Sequence, residues 1–495
     1  MKIDFLKDSG KFFLFRVVVS LGWMGSLIIL TRLLAPDEYG TFVLLNSIIL
    51  LSSILSTTWI SSSILRFAIE YKYKHLEKDF RKKMIIIAVK NITIFSVLAL
   101  IALLLGNFKI LSPLTILVAI LWYILQSLFV VLLSFLRAFR EVNRFGFYNA
   151  WQILCGLLLG ILSLLIFRTH NNALFFLVLG YVLALLIGMP FLYREVIKHT
   201  TSNEHENSTT ITKNDVSVFF NYGLSVTIIN LCSQSISQLD KLYITSYHGV
   251  YKSGIYSASY SIAEQSIFAI VSIFSMASTP IIYSLWQKGN TQDIADYFSN
   301  ILRYYFIIIT PVALFIVLMY NEIGGFLLEE AFFSAFNIIP IVTIGAVLVG
   351  FAMIYTDLLT AAKKPPTLML CYIFALAANI IGNFLWIPKT PFFGASFSTL
   401  ISYFILLLAV TFYSRKEFRW KIESKLILKI CLISIGIYLS FMPILPFVHR
   451  MKLLPQLIFV GVLETIIFLS LIFIFRLISI TEIKQIFSKE KFQSR

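Results

Sequence analysis

The stretch RLLAPDEYGTF (residues 32–42) closes the first apolar segment of the chain, and GVYKSGIY (249–256) stands in the matching place of a later one. Setting Gly40 on Gly254 puts Tyr39 on Ser253 and Phe42 on Tyr256, an offset of 214 residues. Each stretch is expected at the outer turn between the first and second helices of a set. Two more pairs recur at nearly this interval. LRAFREVNRF (136–145) aligns with LTAAKKPPTL (359–368) at an offset of 223, and RTHNNALFFLVLGYVLALL from Arg168 aligns with TPFFGASFSTLISYFILLL from Thr390 at 222, bringing Tyr181 onto Tyr403. Short apolar alignments arise easily by chance. Three at nearly one interval, each at the corresponding loop, point to an internal duplication.

What is duplicated follows from composition. Of 495 residues, 58% are hydrophobic and 13% charged, and the mean hydropathy is +0.86, outside the range of soluble domains. A hydrocarbon core of about 30 Å takes about 20 apolar residues as a helix, since backbone groups cannot be left unpaired in lipid. Fourteen such segments are expected, at 11–33, 41–65, 84–105, 113–136, 146–167 and 173–193, then 217–241, 254–285, 299–320, 334–360, 366–387, 394–413, 426–448 and 455–476. The alternating period of a membrane β-barrel is absent. The expected fold is an all-α polytopic membrane protein with two six-helix lobes and two extra C-terminal helices. Six is even, so both copies cross the membrane in one sense, and parallel repeats of this kind commonly enclose a transport path.

The domains expected are a lobe at 1–193, a second at 216–413, two added helices within 414–476 and a tail at 477–495. Between the lobes, REVIKHTTSNEHENSTTITKND (194–215) reads as a polar linker. Its Asn207 sequon is read as accidental, because the linker falls on the cytoplasmic side.

The net charge of +16 invites a nucleic-acid reading, which the distribution of the charge removes. With the N-terminus inside, the inner segments hold 29 of the 41 Lys and Arg, the outer segments 8, and helices the remaining 4 (Arg16, Lys90, Arg303 and Lys429). This is the positive-inside pattern, with both termini cytoplasmic. It orients the chain and implies no nucleic-acid partner.

The first apolar segment lacks a small-residue cleavage site and is expected to be a permanent helix. Cys155, Cys232, Cys371 and Cys431 lie in apolar segments without metal spacing and are read as core residues. The sequence predicts no metal site and no cofactor.

LTRLLAPDEYGTF (30–42), SSSILRFAIEY (61–71), QLDKLYITSYHGVYKSGIYSASYSIAE (238–264) with Pro280 beyond it, and NIIGNFLWIPKTPFFGASFSTLISY (379–403) together resemble the bacterial polysaccharide and O-antigen flippases. These share a superfamily with multidrug-and-toxin extrusion pumps and the lipid II flippase. The resemblance covers nearly the whole chain and rests on diffuse patterns of turns, glycines and small residues. It implies two lobes around a central cavity open alternately to each side, a place in the bacterial cytoplasmic membrane, and a cargo of undecaprenyl-diphosphate-linked oligosaccharide. It also implies membrane lipids and the polymerase and chain-length proteins of surface-polysaccharide or lipopolysaccharide biosynthesis as partners.

Such a head group is anionic and rich in hydroxyls, so its path needs cations and polar side chains. Charges within membrane segments are costly enough to be functional candidates. Arg16, about 7 Å into the first helix at 1.5 Å per residue, Lys90 and Arg303 all lie shallow, where snorkelling to the interface competes with lining the cavity. The cavity role of Arg66 rests on the resembling flippases carrying an Arg there. Glu264 lies ten residues past Gly254, about 15 Å deep, beyond the reach of snorkelling, and is the ion-coupling candidate. Asp240 and Lys241, expected at the outer end of the seventh helix, and Asp357, near the inner surface, are secondary candidates. Glu464 is equally deep but outside the lobes, where a structural or lipid-facing role is expected. The seventh helix is unusually polar, and Asn230, Gln234 and Gln238 are candidate sugar contacts against the alternative of interhelical bonding.

An enzyme is not expected. The longest outer loop is about thirteen residues, 321–333; His170, His248 and His449 stand in separate loops without a nucleophile or metal-spaced partner; and no P-loop is present. Two alternatives stay open: a cation-coupled multidrug efflux pump, and a membrane polysaccharide polymerase or ligase.

Overall fold

The computed structural model describes residues 2–105, 112–167, 173–198, 212–287, 291–362, 364–417, 424–475 and 477. The chain runs as α1 (Lys2–Leu33), α2 (Pro36–Tyr73), α3 (Glu77–Leu105), α4 (Pro113–Ala138), α5 (Val142–Ile166), α6 (Ala173–Lys198), α7 (Lys213–His248), α8 (Val250–Gln287) and α9 (Thr291–Leu318). A short α10 (Tyr320–Leu327) and a 3₁₀ segment (Glu330–Ile338) follow, then α11 (Ile339–Ala361), α12 (Pro365–Trp386), α13 (Pro391–Glu417), α14 (Ser424–Phe441), α15 (Leu445–Val448) and α16 (Leu453–Ile474). The expected apolar segments fall mainly on the longer of these helices, and among the described residues eleven helices are long and apolar enough to cross a membrane. Asn207, His170 and Lys363 lie outside the described residues.

The helices of the two halves pack in corresponding pairs. In the first half α1 packs on α5, α2 on α3 and α4, α3 on α4, and α6 on both α4 and α5; in the second, α7 packs on α12, α8 on α9 and α11, α9 on α11, and α13 on both α11 and α12. Across the halves, α2 meets α7 and α8, and α1 meets α8.

Several boundaries differ from expectation for local reasons. The first turn is only Leu34–Ala35. Pro36 opens α2, where its missing N–H costs nothing, and the Glu38 carboxylate accepts from the Ala35 N–H at 3.1 Å. Gly40 therefore sits inside a helix and not at a turn. The α7–α8 connection is a single residue, Gly249, whose φ of +86° suits glycine. Gly254 likewise falls within α8. The outer stretch 321–333 is α10 and part of the 3₁₀ segment rather than a loop. Pro443 has no N–H to continue the ladder, so α14 ends at Phe441 and the expected segment 426–448 closes with the separate α15.

Gly40 and Gly254 meet each other. A Cβ on Gly40 would lie 2.1 Å from the Val250 carbonyl oxygen and 2.8 Å from the Gly254 nitrogen, and one on Gly254 would lie 2.0 Å from the Pro36 oxygen and 2.9 Å from the Gly40 nitrogen. RLLAPDEYGTF and GVYKSGIY therefore share a glycine because both sides of one helix crossing need a residue without a side chain. Farther along α2 the contact passes to α7: Ser63 Oγ donates to the Phe219 carbonyl at 2.7 Å, Trp59 meets Phe220 edge-on at 5.2 Å, and a Cβ on Gly223 would lie 2.4 Å from the Trp59 oxygen.

α14 and α16 pack on α9 through a second core that includes Leu314, Met319, Ile430, Phe441, Val460 and Phe468. Their other faces, with Leu428, Leu432, Ile458 and Ile466, are exposed, as lipid contact requires. Of the cysteines, Cys232 and Cys371 are buried, Cys155 is half-buried and Cys431 is exposed. Cys431 therefore corrects the core assignment: α14 has neighbours on one side only.

The α5–α6 seam is as close as the Gly40 crossing. A Cβ on Gly180 would lie 2.3 Å from the Gly160 Cα. Gly180→Leu is expected to destabilise the protein by about 1–3 kcal/mol, the usual cost of overpacking, read as a lower unfolding midpoint in detergent.

Candidate functional site

Asp240 lies at the centre of a buried polar network. It is fully buried, eight residues before the end of α7. Its Oδ2 accepts from Thr399 Oγ1 of α13 at 2.6 Å and from the Tyr256 hydroxyl of α8 at 2.8 Å, while Oδ1 accepts from Asn383 Nδ2 of α12 at 2.9 Å. Asn383 Nδ2 also donates to Asn379 Oδ1 at 3.0 Å, one helical turn back, and Asn383 Oδ1 is buried without a donor. Four helices of the second half thus converge on one carboxylate. Asp240 and Lys241 are both turned into the protein, with exposures of 0% and 6%.

Successive residues on a helix point about 100° apart, so Lys241 faces elsewhere. Its Nζ donates to Gln238 Oε1 at 2.9 Å and lies 5.5 Å from the Tyr260 ring centre. Gln238 Oε1 also accepts from Ser47 Oγ of α2 at 2.7 Å, carrying the network into the first half. Glu264 is half-buried on α8, interacts with the Tyr260 hydroxyl and feels the charges of Lys241 and Asp240. α8 begins four residues before Gly254, so Glu264 is fourteen residues into its helix, about 21 Å along the axis. Asp240, Lys241 and Glu264 together carry a net charge of −1 when all are ionised. A proton or one monovalent cation would balance it.

Among the described residues, no three or more His, Cys, Asp or Glu cluster as a transition-metal site would need. A hard monovalent cation takes oxygens instead, and Asp240, Thr399 and the donorless Asn383 oxygen supply them.

The polar face of α7 continues from Lys241 through Gln238 and Gln234 to Asn230. These four lie near one helical stripe, eleven residues long, or about 16 Å. Gln234 is half-buried; Asn230 is exposed and bonds back to the Val226 carbonyl at 2.9 Å.

The other candidates separate. Lys90 is exposed on the same side of α3 as Ile86, Val89, Ile94 and Val97, all exposed. That face is open, and among the described residues Lys90 takes no part in the network around Asp240 and Lys241. Arg303 donates to the Leu477 carbonyl, holding the chain beyond α16 against α9. Asp357 accepts from Ser275 at 2.7 Å and Thr279 at 2.9 Å, tying α11 to α8. Arg66 is exposed on α2, one residue before Phe67, which packs on Phe219 and Tyr222. Arg16 belongs to α1, with its side chain outside the described residues. Glu464 is fully buried on the α16 face of Gln456, Val460 and Phe468, so a lipid-facing position is ruled out.

Sequence reading missed Asn379, Asn383 and Thr399, whose types signal nothing until α12 and α13 bring them to Asp240. At the matching positions of the first half stand Leu157, Ile161 and Leu177, and the aromatics Phe42, Trp122 and Tyr181 stack there with centroids 5.1–6.0 Å apart. The duplicated halves have diverged into an apolar and a polar centre.

Residues 6–286 match the family model described as polysaccharide biosynthesis protein. The chain belongs to that family. An uncharacterized membrane protein of Methanocaldococcus jannaschii is 23% identical over 391 residues, covering 78% of this chain and 75% of its own. The fold is similar to that of lipid II flippase MurJ in an inward closed conformation, with a TM-score of 0.67 and 15% identity over 94% of this chain and 99% of that one. It is similar also to a multidrug resistance MATE family transporter of the MOP superfamily in an outward-facing conformation, with a TM-score of 0.62 and 14% identity over 83% and 95% of the two chains. At these identities the likeness establishes the fold: this family member is a multi-pass helical membrane protein with the transporter fold shared by MurJ and MATE proteins, and its neighbours are transporters and flippases rather than enzymes.

Proposed function

We propose that this protein flips an undecaprenyl-diphosphate-linked oligosaccharide, an O-antigen or other surface-polysaccharide unit, across the bacterial cytoplasmic membrane by alternating access of its two halves. Residues 1–193 and 216–413 act as the lobes, with both chain termini inside. The observation that supports the reading is the polar stripe from Asn230 to Lys241, in which Gln238 accepts from Lys241 and from Ser47 of α2, so that amide, hydroxyl and ammonium groups suited to a hydroxyl-rich, anionic cargo line the junction of the two halves. Arg66 and Arg16 serve as cationic contacts on the inner side, and the lipid tail stays in the bilayer.

Asp240 is the better coupling carboxylate, with Glu264 beside Lys241 as its charge partner. The cation or proton enters the second half while cargo moves against α2 and α7. Partners in the same pathway, a polymerase and chain-length proteins, follow from this role.

The test uses purified protein in liposomes with a fluorescent undecaprenyl-diphosphate oligosaccharide under imposed sodium or proton gradients. Wild type is expected to move the lipid, and Gln238→Ala with Lys241→Gln to slow it at least tenfold, the loss of one hydrogen bond to a charged group being about 1.5–3 kcal/mol. Export of a cationic dye with no lipid movement would establish the efflux reading instead.

A further inference from the structure

A cavity with polar side chains in its wall lies in the first half, between the end of α4 and the start of α5. It holds about 230 Å³ and is lined by Ser134, Arg137, Phe145, Asn149 and Gln152 among others, space for several waters at about 30 Å³ each. Arg137 falls in the last turn of α4, and Gln152 is ten residues into α5, so the cavity reaches about 15 Å inward from the helix ends. On the charge distribution those ends are cytoplasmic.

Among the described residues, none of its longer polar side chains has a partner. Among the described residues the Arg137 side chain has no hydrogen bond or ion pair, and no charged group acts on it. Glu141 and, from α6, Glu195 are engaged with Arg144, which lies 2.7 Å from the first and 3.2 Å from the second. Asn149 and Gln152 are half-buried and likewise have no side-chain partner, whereas the Ser134 hydroxyl is spent on the Val130 carbonyl at 2.9 Å. Arg137 is exposed at the helix end and Asn149 and Gln152 are half-buried, so a guanidinium and two amides stand around one cavity with donors and acceptors open to a ligand. The matching positions of the second half are Thr360, Cys371 or Tyr372, and Phe374 or Ala375, so the feature is not a product of the duplicated fold.

We propose that Arg137, Asn149 and Gln152 form an oxyanion subsite for the head group. It rests on the flippase reading and extends it. A guanidinium presents a fork of donors that matches carboxylate or phosphate, and the amides offer both donors and acceptors to adjoining hydroxyls. Two sources share this chemistry: the diphosphate of the carrier lipid, and a carboxylate on an acidic sugar. Cargo would then be held by the first half together with the α7 stripe, while the network around Asp240 holds the coupling ion.

The experiment measures binding to the purified full chain by tryptophan fluorescence, Trp151 being next to Gln152. The probes are a short-chain prenyl diphosphate, a uronic-acid oligosaccharide and a neutral oligosaccharide, tested on wild type, Arg137→Gln, Arg137→Lys and Asn149→Ala. Arg137→Gln should weaken one anionic probe at least tenfold and flatten its salt dependence, leave the neutral probe unchanged, and be partly rescued by lysine. The probe affected identifies the source. Equal affinity of wild type and Arg137→Gln for both anions, or no anion binding by wild type, overturns the subsite. Asn149→Ala, which keeps the cation, guards against a misfolded Arg137 variant. Flipping by the same variants separates the two ideas. Anion binding lost in Arg137→Gln while wild type flips nothing leaves the subsite standing and the flippase reading refuted. Wild-type flipping and binding by Arg137→Gln refutes the subsite alone.

Discussion

Asp240→Asn is expected to abolish the response of transport to an ion gradient, with flipping reduced on the order of 100-fold, while the protein still folds. Asparagine keeps the shape of the side chain and can still accept from Tyr256 and Thr399, but it removes the charge. A hydrogen bond to a charged acceptor is worth about 1.5–3 kcal/mol, a factor of about 10–150, which sets the size of the loss. Asp240→Ala is the harsher change, because it strands the Tyr256 hydroxyl, the Thr399 hydroxyl and the Asn383 amide without an acceptor, at about 1–3 kcal/mol each. It should also lower the unfolding midpoint sharply. Gradient-driven flipping in liposomes checks the first expectation, and thermal unfolding of the detergent-solubilised variants checks the second. A variant Asp240→Asn that follows the gradient as wild type does would move the coupling role to Glu264.

Gly254→Ala carries the second large effect, and its origin is steric. The added methyl would lie 2.0 Å from the Pro36 carbonyl oxygen and 2.9 Å from the Gly40 nitrogen. Both are backbone atoms, so relief requires α2 and α8 to separate. The expected cost to this closed crossing is about 1–3 kcal/mol, enough to shift the balance between closed and open outer faces roughly 5- to 150-fold. Transport should fall by a similar factor, and a cysteine placed at Tyr39 should become far more reactive to a membrane-impermeant thiol reagent. Because Gly40→Ala presses on the same contact, the double variant is expected to be less than additive. Unchanged labelling and transport in Gly254→Ala would mean that this crossing does not open during the cycle.

Much of the architecture was legible in one dimension. Helix positions follow from runs of about 20 apolar residues, because lipid leaves the backbone no other partner. The duplication was visible from Gly40 and Gly254, though for a reason the linear sequence hides: they are the two sides of one contact, and neither makes a turn. Depth along a helix was also readable, and it directed attention to Glu264 and the polar residues of α7.

What the linear order could not supply is rotation about each helix axis. Asp240 and Lys241 are neighbours in the chain, yet one enters a network built by residues 143 and 159 positions away and the other reaches back to Gln238 beside Ser47 of the opposite half. Lys90 stood out by its depth while Arg137 was one of many inner cations; the fold leaves the first on an open face of α3 and sets the second at a cavity. Segment hydrophobicity and the distribution of charge are local sums over the sequence, so they determined that this chain is a helical membrane protein and which way it is expected to face. The fate of each polar side chain depends on which helix lies opposite it, and that was decided only when the helices packed.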